Sequence, residues 1–436
     1  MLKLRLAKVL ESGPDPLRRA LPATREQGIE PAGASERTES STGEQRMVVE
    51  LTGGARSGER REAVGDVALV GRAQVGDQVV VNVQALDLGL GSGGFDVVHV
   101  NLTRGLTGNG TPGAHVMKLN YTSLQHAVEP VDDRGLEIPL ARPAAVLALH
   151  GQLAAVAWAF AQAAPGRRLG YVQTGGGALP GGHSGTVAAL RERGLLAGHL
   201  TAGPAFGGDG EAITTAGALH HGMQALGWDA AVCGPGPGIV GSGSSLGHGG
   251  MAALDSAHVA LALGCPTLLV ARMSCSDRRS RHRSISHHTL TVLDLLLEPV
   301  TVALPAGIRS PVGADLRAGL RGVFASAKPA AAAADEVARP ARIARHDWKR
   351  AEIDLPGFAG SGLATESMGR GPAEDPLFFG AALAGGAALT ELLLSDQIDP
   401  STGLDAALGE ARAARTTPGA DRAAGPDRAA RPEPAS

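Results

Sequence analysis

Aromatic residues and cysteines are scarce in this sequence. Aromatic residues account for 3% of the 436 residues, so the core has to be built mainly from alanine, valine and leucine. The three cysteines, Cys233, Cys265 and Cys275, are odd in number and have no CxxC spacing. A disulfide framework and a cysteine-based zinc site are therefore not expected.

The chain also lacks a strong net charge and a clear targeting or membrane segment. A formal net charge of −3 gives no overall attraction to nucleic acids or anionic membranes. The N-terminal residues include no apolar run of the kind found in secretory signals. The most apolar stretch, Ala144–Ala164, is interrupted at His150–Gln152, so we interpret it as a buried strand followed by a helix. We expect a soluble, reduced, cytoplasmic protein with no nucleic-acid partner and no membrane partner.

Two domains are predicted from the way the apolar pattern changes along the chain. Short apolar runs separated by glycine-rich turns predict a small antiparallel β-barrel within residues 1–140. In residues 141–310, apolar runs of strand length alternate with helix-length segments, which predicts a doubly wound, mainly parallel α/β sheet. The other predictions are a disordered insertion at about 11–44, a linker at 311–370, a C-terminal helical segment at 371–409 and a disordered tail at 410–436.

Individual elements follow from the same patterns. In the barrel, strands are predicted at Leu2–Val9, Arg46–Leu51, Asp66–Val70, Asp77–Val83 and Phe95–Val100. In the α/β domain, strands are predicted at Ala144–His150, Leu169–Thr174, Leu196–Thr201, Asp229–Cys233, Pro266–Arg272 and Pro299–Leu304. Helices are predicted at Leu153–Ala163, Ser184–Arg193, Glu211–Leu226, Gly249–Leu263, Ser286–Leu297 and Asp375–Leu394.

Polar loops follow five of the predicted parallel strands. In an open α/β sheet, ligands bind beyond the carboxyl ends of the strands, where the strand order reverses. If the strands are parallel, all five loops open on one edge, which predicts a ligand site there. From these loops Thr174 and Asp209 are assigned to ligand binding. The loops contain His150, Thr174–Pro180, Gly203–Glu211, Gly234–His248 and Arg272–His288.

The loop Gly234–His248 is rich in glycine and serine and leads into a predicted helix. Free backbone N–H groups and the positive end of a helix can receive an anion. The loop has neither the GKS/T of a Walker A loop nor a GxGxxG motif in the first βα unit. A tight turn that lets strand and helix pack closely is the alternative interpretation. The residues assigned to ligand binding are Gly236, Gly238, Gly241, Ser242, Gly243 and His248.

The loop Arg272–His288 concentrates arginine, histidine and hydroxyl groups between a predicted strand and a predicted helix. Arginine offers planar forks that match a carboxylate or a phosphate, and histidine exchanges protons near neutral pH. His282 or His287 is assigned as acid or base, with Asp277 orienting a histidine, pairing with an arginine or helping to hold a metal. A solvated charged loop with Ser286 capping the helix is the alternative. The residues assigned to ligand binding are Arg272, Ser274, Arg281, Arg283 and His288.

No metal ligands are assigned in this loop. Neither an HExxH motif nor a carboxylate-rich spacing accompanies the histidines. Adjacent residues of a helix point about 100° apart, so His287 and His288 are not expected to bind one metal ion together. A set made of His282, His287 and Asp277 requires the loop to fold back on itself.

Six stretches of the chain together resemble an uncharacterised family from high-GC Gram-positive bacteria, the domain-of-unknown-function family thirty-eight sixty-six. Against the family pattern, residues from about Glu11 to Glu44 are an insertion, and Ser284 stands where glycine is expected. The resemblance implies the domain layout up to about Gly386 and supplies no activity. The stretches are VGDQVVVNVQALDLGLGSGGF, YVQTGGGALP, AFGGDGEAIT, GPGIVGSGSSLGH, SDRRSRHRSISHHTL and MGRGPAEDPLFFGAA.

The leading hypothesis is a cytoplasmic protein that binds a small anionic ligand, bearing a phosphate or a carboxylate, at the carboxyl edge of the parallel sheet. One alternative is a non-catalytic sensor or scaffold whose barrel contacts a partner. Another is a metal-dependent hydrolase that uses His282, His287 and Asp277, with His150 or Asp209. The sequence leaves the cofactor, the reaction and the oligomeric state open.

Overall fold

The computed structural model describes residues 2–13, 43–89, 94–131, 135–308 and 338–395. The insertion predicted at about 11–44, the linker at 311–370 and the helical segment at 371–409 lie partly outside these residues. The tail predicted at 410–436 lies wholly outside them. The described residues form a closed barrel and a large sheet, which confirms the predicted combination of a small β-barrel with an α/β sheet.

The barrel elements are β1 (Leu4–Ser12), β2 (Glu44–Leu51), β3 (Arg60–Asp66), β4 (Gln78–Asn82) and β5 (Asp96–Asn101), with short helices α1 (Val67–Val70) and α2 (Gln84–Asp87). The strands close in the order β1-β2-β3-β5-β4. Neighbours run antiparallel apart from β3 and β5, which are parallel. Alternate side chains point inward, and Ala7, Val49 and Val81 are fully buried there.

The prediction of a strand at Asp66–Val70 is wrong, because Val67–Val70 forms a helix. Asp66 ends β3, and its carboxylate accepts hydrogen bonds from the N–H groups of Ala68 and Leu69 at 3.0 and 3.3 Å. A residue that caps the first turn in this way starts a helix, so the apolar run Val67–Val70 forms α1.

The later strands are β6 (Val116–Lys118), β7 (His126–Val128), β8 (Ala144–Leu147), β9 (Leu169–Thr174), β10 (Gly198–Ala202), β11 (Gly210–Ala212), β12 (Ala230–Pro235), β13 (Thr267–Val270), β14 (Met273–Ser274), β15 (Ser284–Ile285), β16 (Thr301–Pro305) and β17 (Asp347–Ala351). The later helices are α3 (Leu153–Ala163), α4 (Gly185–Glu192), α5 (Thr215–His220), α6 (Ala252–Ala262), α7 (His287–Leu295), α8 (Ala338–Ala344), α9 (Leu355–Ala359) and α10 (Pro376–Ser395).

The α/β sheet has eight strands in the order β11-β10-β9-β12-β8-β13-β16-β17, and these neighbours pair in parallel. Side chains of α3 and α10 share one core cluster, while α6 and α7 contribute to another. Helices therefore cover both faces, and the predicted doubly wound architecture is confirmed. The strands β12 and β13 flank β8, and the chain crosses from one half of the sheet to the other between them. Their following loops thus lie where α/β proteins commonly bind ligands.

Residues 338–370 differ from the linker predicted at 311–370. They contribute α8, the edge strand β17 and α9, and β17 pairs in parallel with β16 through Asp347–Ala351. Only Ala351 of this strand is buried, because an edge strand can expose most of its side chains. The polar sequence DWKRA consequently carries no strand-like apolar pattern.

Helix α10 is the one described helix that is long and apolar enough to cross a membrane. Within its most apolar window, 78% of residues are buried inside the protein. Its side chains Phe378, Phe379 and Leu389 pack with Val156 and Phe160 of α3 in the largest core cluster. This packing is that of a core helix, and the helix predicted at Asp375–Leu394 is confirmed.

Candidate functional site

The loop after β13 is a folded hairpin rather than an open loop. Strands β14 and β15 pair antiparallel, with Met273 opposite Ile285 and Ser274 opposite Ser284. Ser284 has φ of 63°, a left-handed conformation that glycine adopts more readily. This conformation explains why glycine is expected at Ser284 in the related family. We call residues Arg272–His288 the basic hairpin.

An arginine–aspartate cluster fills one side of the basic hairpin. It consists of Arg272, Asp277 and Arg279 from the hairpin, with Arg370 and Asp375 from the segment that precedes α10. A carboxylate oxygen of Asp277 lies 3.0 Å from Arg279, 3.5 Å from Arg272 and 3.7 Å from Arg370. Asp375 lies 3.2 Å from Arg370 and accepts a hydrogen bond from the hydroxyl of Ser274 at 2.5 Å.

Burial and charge set the ionisation of this cluster. Burial acts to raise the pKa of Asp277, but the hydrogen bonds and charge of Arg279 hold that pKa well below its ordinary value. Burial lowers the pKa of Arg272 to about 10, so its guanidinium is still charged at neutral pH. Arg272 is 2% exposed, and its buried Nε–H has no hydrogen-bond acceptor within the described residues. The cluster therefore contains a buried cation with an unused donor.

A histidine cluster lies next to these charges. His282 ends a 3₁₀ turn of the hairpin, and His287 and His288 begin α7. The ring centroids are 5.0 Å apart for His282 and His287, and 3.9 Å apart for His287 and His288. One ligand atom from each of these three rings lies within 4.8 Å of the other two. His248, from the loop after β12, stacks on His288 with centroids 3.9 Å apart.

The expectation that His287 and His288 point apart is wrong for the positions they occupy. Ser286 is the N-cap of α7, so the two histidines occupy the first helical positions. Side chains on a helix lean towards its N-terminus. Because no helical turn precedes the first one, both side chains can extend past the start of α7 into the same space. The hairpin also folds back, which brings His282 to the same place. Three imidazoles thus converge where the sequence predicts divergence.

Three of these rings, those of His248, His282 and His288, are neutral at neutral pH. Burial, and then the charge of Arg272, lower the pKa of His248 to about 4 and that of His282 to about 3. Burial and the neighbouring His248 lower the pKa of His288 to about 2. His288 is 2% exposed, and neither of its ring nitrogens has a hydrogen-bond partner in the part of the chain described.

The hydroxyl of Ser286, rather than Asp277, orients His282. Nδ1 of His282 lies 2.8 Å from Ser286 Oγ, which also receives the backbone N–H of His288 at 3.3 Å. Asp277 forms ion pairs with arginines, and pairing with an arginine is one of the roles predicted for it from the sequence. Ser286 caps α7 as the alternative interpretation of the loop predicts, although the loop itself is folded.

Glycines of the loop Gly234–His248 allow its backbone to pack closely against neighbouring segments. A Cβ on Gly236 would collide with the carbonyl oxygen of Ala178. Just beyond the loop, a Cβ on Gly249 would collide with the carbonyl oxygen of Gly176. Gly241 faces the ring of His248, and Gly238 has φ of 69°. These contacts support the tight-turn interpretation of the loop at those positions.

The tip of that loop is exposed and bonded to itself. The backbone N–H of Gly247 donates to Ser244 Oγ at 2.8 Å, and the hydroxyls of Ser242 and Ser244 lie 3.1 Å apart. Gly243 has open space around it. Before α6, His248 Nδ1 accepts the N–H of Gly250 at 2.9 Å and so caps the turn. The structure brings His248 to the basic hairpin, whereas Ser242 and Gly243 lie at the exposed tip.

The remaining predicted site residues are dispersed. Thr174 lines an open cleft of about 550 Å³, which is bounded also by Gly249 and Asp255. Asp209 pairs with Arg191 at 2.8 Å and accepts the N–H of His199 at 2.8 Å, as a structural residue would. Of the arginines predicted to bind a ligand, Arg281 and Arg283 are exposed, and Arg283 donates to the carbonyl of Asp277 at 2.9 Å.

His150 belongs to a separate buried network. Its Nε2 lies 2.7 Å from Ser184 Oγ, and its Nδ1 lies 3.2 Å from the carbonyl oxygen of Pro235. The Tyr171 hydroxyl donates to the same carbonyl at 3.0 Å, and its ring stacks on His199. Ser184 accepts the N–H of Val187 and caps α4. This network joins three strands of the sheet, and none of these contacts involves the basic hairpin.

Arg370 and Asp375 are the site residues that sequence reasoning missed. They are about 100 positions beyond Arg272 in the chain, so no local pattern relates them to the basic hairpin. The stretch MGRGPAEDPLFFGAA contains both and is one of the six that carry the family resemblance. Charged residues directly before a long and mainly apolar helix are the signal that points to them.

Comparisons with known proteins place the chain by family alone. No curated protein matches the sequence. The family described as "Protein of unknown function (DUF3866)" matches residues 62–386, which include most of β3, the barrel strands β4 and β5, the whole basic hairpin and the first half of α10. Since the match covers well over half of the chain, this protein belongs to the DUF3866 family.

Proposed function

We propose that this protein binds a small anionic ligand, bearing a phosphate or a carboxylate, at the basic hairpin. The site lies beyond the carboxyl ends of β12 and β13, beside the point where the strand order of the sheet reverses. Arg272 is the principal ligand-binding residue, and His248 and His288 form the adjoining wall. Arg281 and Arg283 are exposed on the same hairpin and attract the anion from solvent.

The observation that carries this proposal is the state of the Arg272 side chain. A buried charged donor without an acceptor costs about 1–3 kcal/mol or more, and native structures seldom leave one unsatisfied. The Nε–H of Arg272 is such a donor in the described residues. A planar guanidinium also matches the geometry of phosphate and carboxylate oxygens. An anion at this point would accept the hydrogen bond and offset the buried charge.

The charge of the surrounding cluster favours the same ligand. Three guanidinium groups, those of Arg272, Arg279 and Arg370, share the two carboxylates of Asp277 and Asp375. The cluster therefore carries one surplus positive charge beside the buried Arg272, and its Arg279 side chain is about half exposed. Charge neutralisation of this kind makes an anion more favourable than a neutral ligand.

The histidines supply the chemistry if the ligand is also turned over. His282 and His287 lie beside the cluster, and a neutral imidazole can accept a proton. Ser286 fixes the ring of His282 through Nδ1.

The three cysteines form no disulfide in the structure, and we place the protein in the cytoplasm.

Thermal unfolding in the presence of phosphate, pyrophosphate and acetate tests the proposal. At least one of these anions should raise the Tm of the wild-type protein in a saturable manner. The Arg272→Gln variant should lose that increase, while Arg60→Gln, which removes an exposed arginine of the barrel, should keep it. An increase of equal size in all three proteins would mean that the anions act without Arg272 and would refute the assignment.

A further inference from the structure

We propose that His282, His287 and His288 bind a divalent transition-metal ion, of which Zn²⁺ is the natural first candidate. This inference goes beyond the anion site and does not depend on it. The three rings come from two elements of the chain, the 3₁₀ turn at Ser280–His282 and the first turn of α7. Three imidazoles are a ligand set that zinc accepts, with a fourth position left for water or another ligand.

The distances among the rings are close to what a metal ion requires. One nitrogen of each ring lies within 4.8 Å of the other two. Nitrogen ligands about 2.0–2.1 Å from a tetrahedral zinc ion lie about 3.3 Å from one another. Each ring therefore has to move by about 1 Å, which a small side-chain rotation provides. The backbone does not need to rearrange.

Unsatisfied ring nitrogens are the second, independent observation. His288 is 2% exposed, and both of its ring nitrogens lack a hydrogen-bond partner among the residues described. A buried imidazole without any polar partner has lost the hydrogen bonds that its nitrogens make in water, and this loss destabilises the folded state. A metal ion would take the lone pair of one nitrogen and thereby account for the position of this ring.

The hydrogen bond of His282 leaves one ring nitrogen free for a metal. Its Nδ1 lies 2.8 Å from Ser286 Oγ. When Nδ1 donates its hydrogen to that hydroxyl, the lone pair stays on Nε2 and the ring orientation is fixed. Metal-binding histidines commonly have a partner of this kind on the other nitrogen.

The electrostatic surroundings define which metal complex fits. Arg272 and Arg279 oppose a bare cation, while Asp277 offsets part of their charge. A metal ion whose fourth ligand is hydroxide or another anion is therefore favoured over one with neutral water.

His248 lies outside the ligand set. Its Nδ1 accepts the N–H of Gly250 at 2.9 Å, and its ring covers one face of His288. It shields the site from solvent and holds His288 in place. Replacement of His248 by phenylalanine should consequently preserve metal binding.

Zinc stoichiometry measured on the full-length chain tests the inference. The protein is freed of metal with a chelator, dialysed into phosphate-free buffer and titrated with Zn²⁺, and bound zinc is determined by elemental analysis after gel filtration. One zinc per chain is expected. The variants His282→Ala, His287→Ala and His288→Ala should each weaken zinc binding by about 100-fold or more. His115→Ala removes an exposed histidine of the β6–β7 region and should bind as the wild type does.

Cobalt provides a readout that separates metal binding from misfolding. Co²⁺ held by three imidazoles gives visible absorption, which should be present in the wild type and in His248→Phe and absent in His287→Ala. His287 is only partly buried, so His287→Ala is the variant expected to fold normally, as circular dichroism would verify. The inference is overturned if the wild type binds no zinc saturably, or if folded His287→Ala binds zinc as tightly as the wild type. If Arg272→Gln kept both anion binding and zinc binding, the anion site alone would be refuted.

Discussion

The ring of His248 stacks on the ring of His288, with centroids 3.9 Å apart and planes inclined by 21°. The two residues come from loops that follow β12 and β13, on opposite sides of β8. Their contact joins the glycine-rich loop to the first turn of α7 across the carboxyl edge of the sheet. The same His248 accepts the N–H of Gly250 and so fixes the turn before α6.

Two substitutions separate these roles of His248. His248→Asn keeps an acceptor for the Gly250 N–H and loses the stacked ring, whereas His248→Phe keeps a ring and loses the acceptor. Each should lower the free energy of unfolding by about 1 kcal/mol, and His248→Ala should lower it by about 2 kcal/mol. Urea denaturation measures these differences. If His248→Ala were as stable as the wild type, the stacking contact would contribute nothing.

Glycine at position 176 is required by the close approach of two loops. Its φ is 103°, and a Cβ there would collide with the carbonyl oxygen of Gly249. Gly176→Ala should therefore destabilise the protein by about 2–4 kcal/mol. Gly243→Ala is the matched control, since nothing lies within 4 Å of a Cβ at that position, and its effect should be within about 0.5 kcal/mol. Equal effects of the two substitutions in urea denaturation would contradict this packing role.

Removal of the Asp277 carboxylate should affect stability and anion binding in opposite directions. Asp277→Asn leaves three arginines without their shared partner, which should cost about 3–5 kcal/mol of stability. The same change removes a competitor for those arginines, so the rise in Tm caused by phosphate should become larger than in the wild type.

The control for this prediction is Asp347→Asn, which removes an exposed carboxylate 3.5 Å from Lys349. Its effect on stability should be below about 1 kcal/mol, with the phosphate response unchanged. A smaller phosphate response in Asp277→Asn than in the wild type would show that Asp277 helps to bind the ligand instead of competing with it.

Stability should fall in mild acid because of His150. Burial lowers the pKa of His150 in the folded protein to about 4, whereas an exposed histidine has a pKa of about 6.5. Between these values the unfolded chain takes up a proton that the folded protein does not, so stability decreases as the pH falls from about 6.5 towards 4. At pH 5 this residue should cost the folded state about 2 kcal/mol.

The measurement is the difference in unfolding free energy between pH 7 and pH 5. In His150→Gln this difference should shrink by about 2 kcal/mol relative to the wild type. His115→Gln, which removes an exposed ring, is the control. An unchanged difference in His150→Gln would show that the ring is protonated in the folded protein.

The regular core of the α/β domain could be predicted from local pattern. The predicted bounds of β9 and α3, Leu169–Thr174 and Leu153–Ala163, are those of the structure. Both elements are almost uniformly apolar, because one is covered on two faces and the other is packed beneath α10. By contrast β17 is an edge strand with polar side chains, so its sequence resembles a linker. The strand β11, of only three residues, was likewise predicted as the start of a helix at Glu211.

For the candidate site, the meeting of two loops could be predicted from the sequence, whereas the residues that they bring together could be predicted only in part. The strand order explains why the loops after β12 and β13 meet, and the sequence predicts that convergence from topology. The meeting of His282 with His287 depends on the left-handed turn at Ser284, which no apolar periodicity reveals. The partners Arg370 and Asp375 are brought in by the packing of α10, a tertiary contact between distant parts of the chain. The sequence alone therefore predicts which loops meet better than it predicts which distant side chains join them.

The proposed hydrogen bond from the Arg272 Nε–H group to a bound anion can be observed directly by NMR. The ¹⁵N–¹H signal of the Arg272 Nε–H group, identified by its absence in Arg272→Gln, is followed during titration with phosphate and pyrophosphate. One of these anions should shift this signal in a saturable manner, while the corresponding signal of Arg60 should stay in place. A signal of Arg272 that does not move at saturating anion, or that moves only as much as that of Arg60, would contradict the proposed site.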